Sequence, residues 1–474
     1  MEKRIILVEI GTVFKPTIPY TFANEKINSI RMNRSGKNAL IVGVCALFLA
    51  SQNLVAQTAK TFTLSELLEL AITNSKQLKL SQTGLETAKA ATKLVKIAST
   101  PTLDISLSAF YIGNGVIMDR NFSNAKNIEM PHFGNNFGME ASQLIFAGGG
   151  IATNLEKSRL EEQIAKLNYD RDELDICFLV TAYYLDLFKF KNQTEVFNKN
   201  IEQTELLIHE IKSKESQGMA LGSDVTRHEL MLQDLKVQLI DIENNSKIIN
   251  NQLIVTLGLS SETLIIPDAS ILKMELSKVN KDNLLQLASE NLPELKSAVL
   301  NNEIAAKNIR IAKADYYPQI ALVAANNLNG PILIEVPTMN NNFNYWYIGV
   351  GIKYNLASLY KTNVKLQLAG KKQLMTEYAE ALTMEHTQMA VYSAYTKFKE
   401  SFEKLSVFET SLRLAGENYR IVNNRYLSDV VLITEMLDAS NSKLNAELQL
   451  VNAKLNVIYN YYSLQRETGN KIRK

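Results

Sequence analysis

The 474 residues carry 51 Lys and Arg against 49 Asp and Glu, a formal charge of +2, with an apolar fraction of 46%. That composition is ordinary for a folded protein and excludes a collagen, a low-complexity tail or a charged disordered arm. The bases are interspersed with acids and leave no positive stripe for nucleic acid. Two cysteines, Cys45 and Cys177, are too few for a disulfide framework or a Cys-based zinc site.

In chain order, residues 1–31 read as an extension upstream of the first informative segment. A short basic stretch at Met32–Lys37 is followed by twelve uncharged residues, Ala39 to Ala50, and then by Leu54-Val55-Ala56. Residues 32–56 therefore read as a secretory signal cleaved after Ala56, because twelve apolar residues are too few to cross a bilayer as a helix. A lipid-modified Cys45 is the rival reading; Val44 before it is not small. No later stretch approaches 18 consecutive apolar residues, so the mature chain is expected to hold no transmembrane helix.

An internal repeat fixes the organisation. Residues 64–103 superpose on 281–320 with a constant shift of 217, which places Ala71 on Ala288, Asn74 on Asn291, Leu78 on Leu295 and Pro101 on Pro318. Further along, Gly218 to Val225 pair with Asp429 to Met436 at a shift of 211. A first repeat over 57–257 and a second over 283–468 are joined by a linker at 258–282, and 469–474 form a tail.

Each repeat reads as a helix, a strand pair, a very long helix and a long return helix. Helical periodicity over 62–99 and 282–316 stops before Pro101 and Pro318, and the period then changes from 3.6 to 2. Strands are expected at about 101–112, 137–146, 318–327 and 343–354. Their apolar sides are formed by Leu103, Ile105, Leu107 and Tyr111, by Ile320 and Leu322, and by Trp346, Ile348, Val350 and Ile352. Ten residues is the length a tilted strand needs to span a bilayer, so these are read as lipid-facing. Trp346 with Tyr345, Tyr347 and Tyr354 is a candidate aromatic girdle.

After Gly148-Gly149-Gly150, residues 151–217 contain neither Pro nor Gly, and 357–426 contain only Gly370 and Gly416. A helix of about 65 residues is roughly 100 Å long, wider than any globular core. Such helices are stable only alongside others, and the return helices at 222–257 and 430–466 make antiparallel hairpins. Four strands cannot close a barrel, and an open edge in lipid leaves backbone groups unsatisfied. The expected architecture is therefore an α+β membrane protein, mostly α, in which three chains form a 12-stranded β-barrel continued by a 12-helix α-barrel.

Three segments then carry a family likeness. Gly218-Met219-Ala220-Leu221-Gly222-Ser223-Asp224-Val225 is similar to a Gly-Leu-x-x-x-(Ser/Thr)-Asp-(Val/Leu) signature at one hairpin tip. Tyr426-Leu427-Ser428-Asp429, with Thr434-Glu435-Met436-Leu437-Asp438-Ala439, is similar to the second tip. Leu144-Ile145-Phe146-Ala147-Gly148-Gly149 resembles a strand-to-helix junction. With the repeat, the strands and the signal in register, the chain resembles the TolC-type outer-membrane efflux proteins over nearly its whole mature length.

The resemblance implies a homotrimeric passive duct of a tripartite efflux or type I secretion system. It would lie in the lipid of a Gram-negative outer membrane and continue as a periplasmic tunnel. A periplasmic adaptor (membrane fusion) protein would dock on the tips at Gly218, Met219, Ala220, Leu221, Gly222, Ser223, Asp429, Val430 and Val431, and an RND-type or ABC-type inner-membrane pump would supply the energy. Glu435 and Asp438 match the paired acids of a periplasmic gate, and Asp224 and Tyr426 match positions that latch it through a basic partner, whose place is held here by Val431. Three chains would stack Glu435 and Asp438 as two acidic rings.

Other chemistry is sparse. His132, His209, His228 and His386 have no metal-ligand spacing, the triple Gly lacks a following Gly-Lys-Ser/Thr, and no acid/base pair is identifiable. No enzyme, cofactor or metal is expected. The alternative is a secreted or periplasmic coiled-coil binding or structural protein whose strands merely dock its helices.

Overall fold

The computed structural model describes residues 58–273, 279–335, 338–428 and 430–472, all within the unit Gln57–Lys474. The upstream extension, the signal with Cys45, and Asp429 at the second tip lie outside the described residues.

A five-residue strand β1 (Thr58–Phe62) leads into α1 (Leu64–Asn74). The start of α1 is fixed by a reciprocal cap. The Thr63 hydroxyl accepts the Glu66 N–H at 3.3 Å, and the Glu66 carboxylate accepts the Thr63 N–H at 2.8 Å. The helix expected over 62–99 is broken: Ser75 leaves helical geometry and caps the next helix, α2 (Lys76–Ile97), at Leu78 N–H. The second repeat breaks at the equivalent place. Pro293 opens α6 (Pro293–Ala314) after the short α5 (Leu284–Asn291), because its ring cannot continue a helix through Leu292.

Beyond Pro101 comes β2 (Thr102–Tyr111), then a loop with the small hairpin β3 (Gly115–Ile117) and β4 (Lys126–Ile128), then β5 (Phe133–Ala147). The turn from β5 into α3 (Gly150–Ser216) uses two left-handed glycines, Gly148 at φ 61° and Gly149 at φ 81°. A Cβ on Gly148 would stand 2.7 Å from the Ala314 carbonyl oxygen, so strand and helix meet this closely only with glycine there. α3 folds back on α4 (Gly222–Leu257). In the second repeat, β7 (Gln319–Gly330) and β8 (Phe343–Lys353) lead to α7 (Ser358–Leu427) and its return helix α8 (Ile433–Glu467), after β6 (Thr263–Pro267) in the linker. At 67 and 70 residues, α3 and α7 are each about 100 Å long.

β5 begins four residues before the expected strand. Gly134, Asn135 and Asn136 read as loop, yet they pair with Phe110, Ala109 and Ser108. Asn329 and Gly330 at the end of β7 likewise pair with β5. Cross-strand partners outweigh the low β-propensity of Asn and Gly.

Two layers result. The four-stranded sheet has the order β2-β5-β7-β8 and is antiparallel throughout, and its central joint, β5 with β7, connects the repeats. The main apolar core lies at mid-helix, far from the sheet. Leu67, Ala71, Val180, Tyr184, Leu253, Leu257 and Leu464 are buried there against the parallel pair β1 and β6. Asn250 holds β6 as a neighbouring strand would, donating to the Thr263 carbonyl at 3.0 Å and accepting the Ile265 N–H at 2.9 Å. The Tyr184 hydroxyl accepts the Asp268 N–H at 2.8 Å and lies 3.1 Å from the Phe62 carbonyl. Burial pushes this phenol up to about 12.

Candidate functional site

Two regions carry the candidate residues: the sheet, and the helix tips at the opposite end of the chain's long hairpins. In the sheet, register decides the face. Leu103, Ile105, Leu107 and Tyr111 pair with Ala141, Met139, Phe137 and Phe133. Ala141 pairs in turn with Ala324, and Ile320, Leu322, Ala324 and Asn326 pair with Ile352, Val350, Ile348 and Trp346. All ten strand residues singled out above therefore share one face across four strands. Nine are exposed, Leu107 at 78% and Trp346 at 72%, and Ile320 is half-buried.

The opposite face carries Asp104, Ser106 and Ser108 beside Glu140, Gly138 and Asn136, with Asn327 and Asn329 beyond. Tyr345 and Tyr347 pair with Asn327 and Ala325 on this second face, so they do not form a girdle with Trp346. The pleat separates them: neighbours in a strand point to opposite sides. An apolar face left exposed over Leu103, Ile105, Leu107, Trp346, Ile348, Val350 and Ile352 is wetted badly by water alone.

At the first tip, α3 ends in a Schellman turn. Gly218 sits at φ 74°, its N–H bonds the Glu215 carbonyl at 2.9 Å, and the Met219 N–H bonds the Lys214 carbonyl at 2.9 Å. α4 then starts with the Asp224 carboxylate accepting the Leu221 N–H at 3.3 Å, an acid in the first turn where the helix dipole favours it. The second tip repeats the pattern, with the Val430 N–H on the Arg425 carbonyl at 2.9 Å and Glu435 in the first turn of α8.

The two tips pack on each other. Ile211 and Val225 from the first and Tyr426, Ile433 and Met436 from the second form one buried cluster, flanked by Ala220 and Val431. Lys214 stands 5.4 Å from the centre of the Tyr426 ring and 3.5 Å from the Leu427 carbonyl oxygen. The basic group on Tyr426 within the chain thus comes from the last turn of α3, while Val431 joins the apolar cluster. Lys214 was hidden in the sequence as an ordinary helix-end lysine; its one signal is that Arg425, its repeat equivalent, also lies in a last turn.

Of the remaining tip residues, Met219, Leu221, Gly222, Ser223 and Val430 are exposed. Glu435 and Asp438 are exposed and three apart, hence on one side of α8. Above the tips a polar clamp ties three helices. Lys443 of α8 stands 4.4 Å from the Tyr419 ring centre on α7 and 3.2 Å from the Gln203 amide oxygen on α3, while Asn200 donates to Glu447 at 3.0 Å.

Among the described residues no helix is long and apolar enough to cross a membrane, and no three His, Cys, Asp or Glu are grouped to hold a metal ion. Cys177 is buried in the main core.

The chain thus combines a four-stranded sheet whose apolar face is exposed with helices about 100 Å long that end in packed tips. Residues 284–470 match the family "Outer membrane efflux protein". The fold is that of solved outer-membrane proteins: the outer membrane protein VceC of Vibrio cholerae, at TM-score 0.72 and 16% identity over 86% of this chain and 96% of that one, and the CmeC outer membrane channel of Campylobacter jejuni, at 0.70 and 16% over 86% and 85%. By sequence the chain is 24% identical over 282 residues to "Toxin and drug export protein A" of Aggregatibacter actinomycetemcomitans, 59% of this chain. An uncharacterised protein of Haemophilus influenzae is 23% identical over 282 residues. The matches span 60% and 59% of those two relatives' own length. The match over residues 284–470 and the fold shared with these solved structures agree with the resemblance to the TolC-type outer-membrane efflux proteins.

Proposed function

We propose that the chain is one third of a passive export duct, closed into a tube only by two further copies of itself. The observation that carries this reading is the pair of outer strands, β2 and β8, which end the sheet without a neighbour among the described residues. Their free backbone groups would be costly in lipid, at several kcal/mol each. Because the four strands alternate in direction, β8 of one copy runs antiparallel to β2 of the next, and any number of copies closes without a parallel joint. Three copies give twelve strands, enough for an aqueous lumen lined by the face of Asp104, Ser106 and Glu140.

The twelve long helix segments then continue the lumen as a periplasmic tunnel. Its far end is held shut by the cluster of Ile211, Val225, Tyr426, Ile433 and Met436 and by Lys214 on Tyr426. Opening means separating the α3/α4 tip from the α7/α8 tip. The exposed turn residues Gly218, Met219, Leu221, Gly222, Ser223 and Val430, with Ala220 and Val431 at the cluster's edge, offer a surface for an adaptor, which an RND-type or ABC-type pump would drive. Glu435 and Asp438 would ring the narrow end and favour cations. Asp224 serves the same end by fixing the start of α4.

Planar-bilayer recording of the purified protein tests the duct, together with cysteine pairs placed on β2 and β8. Ion conductance and cross-linked trimers are expected; a monomer that stays soluble without detergent and gives no conductance refutes it.

A further inference from the structure

The first tip contains a group that its packing does not require. His228 lies on α4 one turn from Asp224, is 1% exposed, and its Nε2 has no hydrogen-bond partner. Its Nδ1 lies 3.1 Å from the Asp224 carbonyl oxygen, which identifies Nδ1 as the protonated nitrogen and leaves the Nε2 lone pair buried with no protein partner. The internal repeat supplies a comparison. At the shift of 211, His228 falls on Ala439, buried at 1% in the second hairpin. The same slot in the same motif is thus filled there by a small apolar side chain.

We propose that His228 is an acid-sensitive catch: its protonation loosens the α3/α4 tip and favours the open duct. This rests on the export-duct reading. A proton on Nε2 would bury a charge with no acceptor to receive its N–H, whereas the neutral ring fits.

Few charges are placed to offset it. On α4, Asp224 is half-buried and acts on the ring, while Arg227 and Glu229 are exposed. On α3, Lys214 is half-buried and sits on Tyr426, and His209, Glu210 and Lys212 are exposed, the last paired with Glu229 at 2.7 Å. On α7 and α8, Arg425, Glu435 and Asp438 are exposed. Burial holds the His228 ring below the usual imidazole range, and the Asp224 carbonyl and charge oppose this only in part. The sign follows: a His neutral when packed stabilises the closed tip above its unfolded pKa of about 6.5, and that stability falls as pH drops below it.

The test uses the full-length purified protein, wild type beside His228→Ala, which copies the second repeat, and His228→Gln, which stays neutral and keeps an amide donor. Open probability in a planar bilayer is expected to rise as pH falls from about 7.5 to about 5 in wild type, by up to tenfold per unit of pKa depression, and to stay level in both variants. Conductance with no pH response, or with the same response in both variants, overturns the proposal and leaves the duct intact. Absence of conductance at any pH overturns the duct instead. In that event, hydrogen-exchange protection over 222–232 still decides the catch: it should fall on acidification in wild type alone, and equal protection in all three refutes it.

Discussion

Two adjacent residues on β2 separate a lipid-facing sheet from a water-exposed one. Ile105 lies on the apolar face and Ser106 on the polar face. Ten residues at about 3.4 Å, tilted by about 45°, rise roughly 24 Å, close to the apolar band of about 25 Å found in outer-membrane barrels. Ile105 is the fourth residue of β2, which puts it within about 5 Å of the middle of that band. In lipid, Ile105→Lys should therefore cost about 2 kcal/mol per copy, near the lower end of the range for a midplane lysine. Three copies in one barrel would lose about 6 kcal/mol if the sites are independent. In water the same change should be nearly neutral, within about 0.5 kcal/mol, because Ile105 is already 66% exposed. Ser106→Lys should fold normally and lower cation preference from within the lumen. Urea titration of protein folded into lipid vesicles, read by the heat-dependent mobility of the assembled form, measures both. Equal stability for Ile105→Lys and Ser106→Lys would refute the assignment of faces.

Neutralising the acids with Glu435→Gln and Asp438→Asn should reduce cation preference in reversal-potential measurements; unchanged selectivity removes them from the gate. Tyr426→Ala should remove about 3 kcal/mol of packing at the tips and lengthen open times, since Tyr426 is only 8% exposed. A closed duct indistinguishable from wild type would show that the tip cluster does not hold it. Tyr184→Phe should lower thermal stability by about 1 kcal/mol, because the hydroxyl's bonds to the Phe62 carbonyl and the Asp268 N–H are lost while that N–H keeps its bond to the Phe62 carbonyl at 3.2 Å. Conductance should not change, and a change would link this core to the gate.

Much of the architecture was legible because its periods are long and clean. The alternation from Leu103 to Tyr111 and from Trp346 to Ile352 states which residues share a side, and pleat geometry leaves no second choice within a strand. The absence of Pro and Gly over 151–217 states that one helix continues. What misled was local composition. Asn135, Asn136 and Asn329 look like loop and are strand, while Ser75 and Leu292, inside helical periodicity, break helices. Tyr345 and Tyr347 stand next to Trp346 in sequence yet across the sheet from it.

The candidate site divides in the same way. The tip turns were visible because a short turn followed by an acid in the next helix's first turn is a local chemical pattern that both copies carry, with left-handed Gly218 making the first. Lys214 on Tyr426, the buried His228, and β1 paired with β6 were not visible, since each depends on what lies opposite.

The amino-acid order by itself determined the repeat, the two periods, the length of the helices and the polarity of each strand face, because these follow from interactions within a few residues. Only the tertiary structure decided that β5 and β7 join the repeats, that the two tips share one cluster, and which lysine reaches which ring. Those contacts unite residues about 200 apart, as Lys214 and Tyr426 are, and between such segments it is packing and register that select the partner, with no local preference to announce it.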